Sequence, residues 1–195
     1  MTKKLPKKFY QRCATELAPK FLGKYLVHKT PQGIISGMIT DVEAYPAFTD
    51  KVSHGNKKTK RTEVMYRDGG HGYIYKIYGI HYQFAVTVNQ KNIPEVVFIR
   101  AVKPKKGIDI MRKNFGKKVD AAILTKSPGN LCKSFGITEK FYGIDLSGNI
   151  LYLEDRNMAV GGKDIMTDRR VVINESLQGS EKQFRYFLRT QEQDK

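Results

Sequence analysis

One run of the chain, residues 69–88, limits what this sequence can fold into more than any other. Its first half alternates as a strand does, with Tyr73 and Tyr75 on one face and the residues between them on the other. Gly79 interrupts the alternation, and the residues after it are again β-branched and aromatic, which is typical of a second strand. The run therefore predicts a β-hairpin with a tight connection at Tyr78 and Gly79.

Tyr78 would then lie at the exposed tip of that hairpin. A soluble protein has little structural reason to keep a large, stiff aromatic side chain there, whereas such a side chain could wedge apart two stacked bases. The alternative is that Tyr78 covers a neighbouring part of the core. Periodicity alone does not decide between these two interpretations.

The charge of the chain narrows the choice of partner. Of its 195 residues, 35 are basic and 19 acidic, a formal net charge of +16. This excess is larger than solubility needs, so it indicates a polyanion, with nucleic acid first and an anionic membrane surface second. No stretch approaches the roughly 20 apolar residues of a membrane span, and the N-terminus has no apolar run of signal-peptide length. We therefore expect the protein in the cytoplasm, or in the nucleus of a eukaryote.

Residues 34–45 predict a strand with a polar face. Asp41, Glu43 and Tyr45 alternate along it and so share one side near its end. Strand ends, and the loops after them, are where catalytic groups tend to lie. We expect Asp41 to lie on a solvent-facing edge and to form salt bridges with the many lysines. For Glu43, a structural role and a catalytic role both stay open.

The remaining elements follow from the same patterns and indicate one mixed domain over residues 1–195 with mostly antiparallel strands. A helix is expected to begin near Lys8, after a mobile basic arm at residues 1–7. Arg100 interrupts the apolar strand at residues 95–102, so it should pair with a carboxylate such as Glu43 or reach a bound anion. Further strands are predicted at residues 25–28, 150–157, 169–174 and 184–189, and helices at residues 108–115 and after Ser127.

The common cofactor and metal motifs are missing from the sequence. It has no Walker-type phosphate loop, no G-x-G-x-x-G at a helix start and no HExxH. The four histidines form no Cys/His cluster, and the spacing of Cys13 and Cys132 fits neither a zinc site nor a disulfide framework. We therefore do not expect a catalytic zinc ion. A carboxylate is then the strongest catalytic candidate.

Five short motifs occur together in one order and spacing. They are VEAY at 42–45, SH at 53–54, YxYxxYGxH at 73–81, IRAVKPxxG at 99–107 and SPGNLCKxxGI at 127–137. In this combination the chain resembles the alkyladenine (3-methyladenine, or methylpurine) DNA glycosylase family. The resemblance implies an α+β single-domain fold, a curved, mostly antiparallel and open barrel-like sheet surrounded by short helices.

The same resemblance implies an activity. Members of the family are monofunctional base-excision-repair enzymes that hydrolyse the N-glycosidic bond of alkylated or deaminated purines, hypoxanthine among them, and leave an abasic site. They act without a metal or organic cofactor. The expected partner is double-stranded DNA that contains damaged purines, and the expected state is a monomer.

Site roles are carried over residue by residue. The resemblance makes Glu43 the general base and Tyr78 the residue that intercalates in the gap left by the flipped base. Arg100 is expected to hold the site and the sugar-phosphate, and its charge should keep Glu43 ionised. The expected pocket around the base is formed by Tyr45, His54, Tyr75, Ala85 and Val171.

Ala85 is a departure from the family. Members usually carry an asparagine here, which crowds the minor-groove edge of the purine and helps to reject guanine, whereas this chain reads HYQFA. Because Glu43 is retained, we expect a changed or relaxed lesion preference rather than a loss of chemistry.

Three other functions stay open from the residues alone. One is a non-catalytic nucleic-acid-binding module that uses tyrosines as stacking platforms. Another is a carbohydrate glycosidase with Asp41 and Glu43 as its carboxylate pair, although a charge of +16 suits a neutral sugar poorly. The last is a pseudoenzyme that binds lesions without cleaving them.

Overall fold

A computed structural model describes residues 2–116, 118–171 and 176–189. These residues form a nine-stranded antiparallel sheet, three α-helices and several short 3-10 turns. The strands are β1 (Lys3–Lys4), β2 (Tyr25–Thr30), β3 (Gly33–Tyr45), β4 (Gly72–Ile77), β5 (His81–Val88), β6 (Glu95–Lys106), β7 (Leu151–Asp155), β8 (Ile165–Asp168) and β9 (Arg185–Leu188). The helices are α1 (Ala14–Phe21), α2 (Ile108–Phe115) and α3 (Pro128–Phe135).

The long strand β3 organises the sheet. Its main path runs β1-β7-β2-β3-β6-β5-β4 without closing, and β9 pairs with both β3 and β8. Along β3 the first half pairs with β2, while Asp41, Val42 and Glu43 pair with β9 on that same side. The pairing of β3 with β6 shifts register on both sides of Asp41, and such bulges bend a strand. The expected α+β fold with a mostly antiparallel, open sheet is confirmed.

The two faces of the sheet carry different cores. On one face, sheet residues such as Phe84 and Ile99 pack with helix residues such as Phe21 and Leu131. On the other face lies a smaller cluster of buried residues to which none of the described α-helices contributes: Val64, Met65, Tyr73, Ala85, Val96 and Phe98. The alternation of side chains along β4, β5 and β6 produces this division, because successive residues point to opposite faces.

Helix α3 begins and ends where its sequence indicates. The Ser127 hydroxyl accepts a hydrogen bond from the Asn130 N–H at 3.3 Å, and Pro128 occupies the first turn, where its missing N–H costs nothing. Gly136 closes the helix in the left-handed conformation, at φ +67°. The helix predicted after Ser127 and the helix predicted over Ile108–Phe115 are both confirmed.

Two predictions about the N-terminus are wrong. Residues Lys3–Lys4 do not form a mobile arm but pair with β7, next to Glu154 and Asp155, and Leu5 is buried. The α-helix begins at Ala14 rather than near Lys8. The residues just before it form a 3-10 turn rather than a part of the α-helix. In this turn Tyr10 is fully buried, and the Asn89 N–H donates to the Tyr10 carbonyl oxygen at 2.8 Å.

Two strand predictions also needed correction. Strand β6 continues past Val102 to Lys106, through Pro104. The strand predicted at residues 169–174 is absent at 169–171, and the rest of that segment lies outside the described residues. A strand forms just before it instead, where β8 pairs with β9. Both cysteines are free, Cys13 half-buried and Cys132 buried.

A buried ion pair ties the chain after β3 to the C-terminal part of the fold. The side chains of Asp50 and Arg170 have no exposed surface. Arg170 donates to Asp50 Oδ1 at 2.9 Å, to the Gly179 carbonyl at 2.8 Å and to the Ala44 carbonyl at 2.9 Å.

No described helix is long and apolar enough to cross a membrane.

Replacing Asp50 by alanine should destabilise the fold by about 3–5 kcal/mol, because it leaves the buried Arg170 guanidinium without its counter-charge. The free energy of unfolding in urea measures this change. Asp109→Ala is the matched control, since the Asp109 carboxylate pairs with Arg112 while its side chain is 97% exposed. Equal destabilisation by the two variants would contradict a structural role for the Asp50–Arg170 pair.

Candidate active site

A cavity of about 1060 Å³ opens on the sheet face that carries the smaller core cluster. Strands β4, β5 and β6 form its floor, and the loop after β3, the hairpin tip and the start of α3 surround it. Its described aromatic and charged lining residues include Tyr45, His54, Arg61, Tyr73, Tyr75, Tyr78, His81, Phe98 and Arg100.

Glu43 lies behind this floor, on β3, with no exposed surface. Its Oε1 accepts hydrogen bonds from Arg100 Nη1 at 3.0 Å and from the Val171 backbone N–H at 2.8 Å. Its Oε2 accepts one from the Tyr45 hydroxyl at 2.8 Å. The predicted pairing of Arg100 with Glu43 is confirmed. The carboxylate is thus held by donors from three separate parts of the chain.

The pKa of Glu43 is shifted in the opposite direction from the one expected. Burial raises the pKa of its carboxyl, and this effect exceeds the lowering by Arg100, the Val171 N–H and the Tyr45 hydroxyl. Arg100 was expected to keep the carboxyl ionised, but its charge only limits the rise. The result is a stronger base than an ordinary glutamate, which is what a proton acceptor in catalysis requires.

Asp41 has the structural role expected of it. Its carboxylate pairs with Arg185 Nη2 at 2.7 Å and lies 3.7 Å from Arg100 Nε. Neither Asp41 nor Glu43 is among the described residues that line the cavity. The partners of Asp41 are arginines rather than lysines. The two ion pairs tie β3 to β6 and to β9, two of its three neighbouring strands.

Aromatic rings form the walls of the cavity. Tyr75 stacks on Tyr73 with ring centroids 5.0 Å apart, and the His54 ring meets Tyr75 edge-on, also at 5.0 Å. Tyr45 lies on another side, under the Arg170 guanidinium at 4.7 Å and edge-on to Phe98 at 6.4 Å. Burial raises the pKa of Tyr45 and of Tyr75 above that of a free phenol, so both hydroxyls stay neutral.

His54 is a neutral ring at physiological pH. Withdrawal of the ring from water, reinforced by the charge of Arg61, lowers the pKa of His54 to about 4. Its Nδ1 lies 3.1 Å from the Tyr73 hydroxyl and 3.5 Å from Arg61 Nη2. Because Arg61 can only donate, Nδ1 is the acceptor and the ring proton lies on Nε2.

Tyr78 lies at the tip of the hairpin, as predicted, and is 75% exposed. Tyr78 and Gly79 both have positive φ, at 51° and 70°, and the Ile80 N–H donates to the Ile77 carbonyl at 3.2 Å. This backbone is that of a tight hairpin turn whose twist matches the flanking strands. The alternative in which Tyr78 covers a neighbouring core is wrong. Ile80, at 71% exposure, shares the tip with it.

The last two predicted pocket residues also line the cavity, in different ways. Ala85 is 2% exposed and sits opposite Phe98 of β6 and Tyr73 of β4. Val171 is 58% exposed, and its backbone N–H, rather than its side chain, reaches Glu43. All the predicted site residues therefore lie at one place in the fold.

Three residues at the site were missed or given another role. Arg61 is not among the predicted pocket residues, yet its guanidinium lies over the Tyr75 ring at 5.0 Å. Arg170 supports the Tyr45 ring and precedes Val171. Gln83 lines the cavity two residues before Ala85. Only Gln83 could have been found from the sequence, because alternation places it on the same face of β5 as Ala85.

The described residues contain no group of three or more His, Cys, Asp and Glu side chains that could hold a metal ion. The chemistry available at the cavity is that of one buried carboxylate, two neutral tyrosine hydroxyls, a neutral imidazole and arginine side chains.

Comparisons of the sequence with family models and with known proteins agree on one protein family. The family model described as methylpurine-DNA glycosylase matches residues 8–192. Three similar proteins carry the name "Putative 3-methyladenine DNA glycosylase". The protein from Clostridium novyi (strain NT) is 35% identical over 196 residues, 96% of each chain. That from Natranaerobius thermophilus is 37% identical over 190 residues, 95% of this chain and 96% of its own. That from Bacillus cereus (strain B4264) is 40% identical over 156 residues, 76% of each chain.

The His54 ring should titrate with a midpoint near 4 in an NMR pH titration, because burial and Arg61 both favour its neutral form. Arg61→Gln removes the positive charge beside the ring and should raise the midpoint of the His54 titration. Burial of the ring should still keep that midpoint below the ordinary histidine pKa of about 6.5. His28 is an internal control, since burial lowers its pKa without a contribution from Arg61. Arg12→Gln, at an exposed ion pair, is the control variant. A midpoint near 6.5 in the unaltered protein would refute this electrostatic picture.

Proposed function

The chain belongs to the methylpurine-DNA glycosylase family, and from that premise we propose that it excises damaged purines from duplex DNA. It is a 3-methyladenine-type DNA glycosylase, a hydrolase of N-glycosyl bonds that serves DNA repair. The proposed reaction is monofunctional. Water replaces the purine at the sugar, and an abasic site is left for other enzymes of base excision repair.

One observation carries the mechanism. The fully buried carboxylate of Glu43 accepts hydrogen bonds from three residues that line the aromatic cavity, Arg100, Val171 and Tyr45. A buried carboxylate is costly unless it is paired, and a hydrophobic residue could fill the same space at less cost. Its position behind rings that suit a planar purine supports a role in catalysis rather than in packing.

The base must leave the helix before it can enter this cavity, which costs roughly a few kcal/mol. We propose that Tyr78 enters the gap left in the stack. Its 75% exposure and the positive φ of Tyr78 and Gly79 support this role, because the turn projects the ring beyond both strands. Damaged bases are less firmly paired, so they are extruded more readily.

In the cavity, the rings of Tyr45, Tyr75 and His54 would enclose the flipped purine. Alkylated purines often carry a positive charge, and an electron-rich aromatic face attracts a desolvated cation by about 1–2 kcal/mol. The two tyrosine hydroxyls are neutral because burial raises the pKa of each. They act as hydrogen-bond donors and not as charges.

We propose that Glu43 stabilises the positive charge that develops on the sugar and takes a proton from the attacking water. Among the described residues, the Tyr45 hydroxyl is the one donor to its Oε2, so this oxygen has a lone pair left for water. The raised pKa of Glu43 makes it a stronger base, and it acts at pH values above that pKa.

Hypoxanthine and other neutral lesions need a proton on the departing base as well. His54 is not the source at neutral pH, because its pKa lies at about 4. Its ring serves as a wall and a hydrogen-bonding group in the proposed mechanism. Release of hypoxanthine, which the resemblance implies, therefore depends on a proton from another donor.

The rival functions have less support. The carbohydrate glycosidase needs two free carboxylates, yet Asp41 is held in ion pairs with Arg185 and Arg100. A module that only binds nucleic acid or lesions would not need a buried Glu43. The proposed partner is double-stranded DNA with damaged purines, bound by a monomer. The similar proteins are bacterial, which supports action on the chromosome in the cytoplasm.

Glu43→Gln should abolish base release while it preserves binding to lesion DNA. An amide cannot accept the proton of the water, and a general base contributes about 10²–10⁴-fold to a rate. Single-turnover release of 3-methyladenine from methylated duplex DNA measures the loss, and a gel-shift assay measures binding. Glu139→Gln, an exposed change on a short 3-10 turn, is the matched control. Substantial activity in Glu43→Gln would show that another group is the base.

Ala85→Asn should narrow the range of lesions. Ala85 is nearly fully buried at the cavity wall, so a larger polar side chain there must project toward the bound base. We expect the release of 7-methylguanine to fall about tenfold relative to that of 3-methyladenine. Chromatography of the free bases released from methylated DNA gives both rates at once.

Ala85→Val is the control for bulk without polarity. If the valine variant has the profile of the asparagine variant, crowding alone sets the preference. Identical profiles for all three proteins would show that position 85 does not determine specificity.

A further inference from the structure

Gln83 is a buried polar residue at the cavity that the mechanism above does not use. It is 5% exposed and lies on β5, beside Tyr75 of β4 and on the same face as Ala85. Its side-chain Nε2 donates to the Tyr82 backbone carbonyl at 3.0 Å. Among the described residues, its Oε1 has no hydrogen-bond partner. This oxygen is not fully enclosed by protein atoms, so it is open to the cavity and can accept a hydrogen bond from a molecule bound there.

The orientation of this amide is set by its one hydrogen bond. A backbone carbonyl oxygen can only accept, so the NH₂ end of Gln83 must face Tyr82 and the oxygen end must face away from it. The side chain therefore offers the cavity an acceptor at a defined position. A group that binds there has to be a donor.

The sheet separates this acceptor from Glu43 by two strand spacings. Across the sheet, Glu43 of β3 pairs with Phe98 of β6, and Phe98 pairs with Ala85 of β5. Neighbouring strands lie about 4.8 Å apart, so β5 is about 10 Å from β3. A purine whose glycosidic bond faces Glu43 and whose ring stacks on Tyr75 would direct its 6-position toward β5. Gln83 is the polar residue of β5 beside that ring.

We propose that Gln83 is a specificity-determining residue that accepts a hydrogen bond from the exocyclic 6-amino group of the flipped base. It would favour adenine-derived lesions over lesions with an oxygen at position 6. The inference rests on the proposed function and deepens it by naming a residue that would set the preference between two classes of damaged base.

The chemistry of the two base classes supports this choice. A 6-amino group donates to Gln83 Oε1, whereas a 6-oxo group would bring two acceptors together and leave both without a partner. A well-placed amide contact to adenine discriminates by roughly 5- to 100-fold against the wrong base. The side chain at position 85 is too small and apolar to replace this contact, because it is alanine.

The test compares two lesions in one sample. Duplex DNA treated with a methylating agent contains 3-methyladenine and 3-methylguanine, which carry the methyl group on the same ring atom and differ at position 6 and at position 2, where guanine has an amino group. Single-turnover release of both bases is measured by chromatography for the unaltered protein, Gln83→Leu and Gln83→Met. The matched control is Gln90→Leu, the same substitution at an exposed turn residue. Urea unfolding of each variant checks the fold.

We expect Gln83→Leu and Gln83→Met to lower the ratio of 3-methyladenine to 3-methylguanine release by roughly 5- to 100-fold. Gln90→Leu should leave the ratio unchanged. An equal fall in both rates, or no fall in either, would overturn the role of Gln83. If the unaltered protein releases neither base, or if Glu43→Gln releases both, the proposed function itself fails, and this outcome is distinct from a failure at Gln83.

Discussion

The pairing of one buried carboxylate constrains the rest of this structure. Glu43 has no exposed surface, so its charge must be met by donors inside the protein. Those donors come from β6, from the end of β3 and from the backbone at Val171, and they meet only if β3 holds its register with both β6 and β9. A one-residue slip of β3 would turn Glu43 toward the opposite, helix-covered core. The register of β3 with β6 and β9 therefore determines both the sheet topology and the hydrogen bonding of Glu43.

Local alternation allowed much of this site to be predicted. The period of two in residues 34–45 and 69–88 placed Glu43, Tyr45 and Tyr75 on shared faces, and the structure has strands there. The pairing of Arg100 with Glu43 followed from chemistry, since an arginine in an apolar strand needs a carboxylate. These inferences hold because strand geometry depends on neighbouring residues only.

Contacts between distant parts of the chain could not be predicted in this way. No pattern in the sequence joins Asp50 to Arg170 or Val171 to Glu43, because each contact depends on how the C-terminal segment returns to β3. Lys3–Lys4 looked like a free basic arm, yet they pair with the acidic end of β7. The pKa of Glu43 was misjudged for a related reason. Its direction depends on burial, which outweighs the charge of Arg100.

In the proposed mechanism, the residues that would carry out the reaction and the residues that would recognise the base lie on different strands. Glu43 and Arg100 lie on β3 and β6, whereas β4 and β5 carry Tyr75, Gln83 and Ala85. Along β5, the alternate residues Phe84 and Val86 belong to the main core, so the positions between them can change without loss of packing there. A polar group at position 83 rather than at position 85 therefore leaves every observed hydrogen bond of Glu43 in place. This separation explains in physical terms why the departure at Ala85 is compatible with an intact Glu43 site.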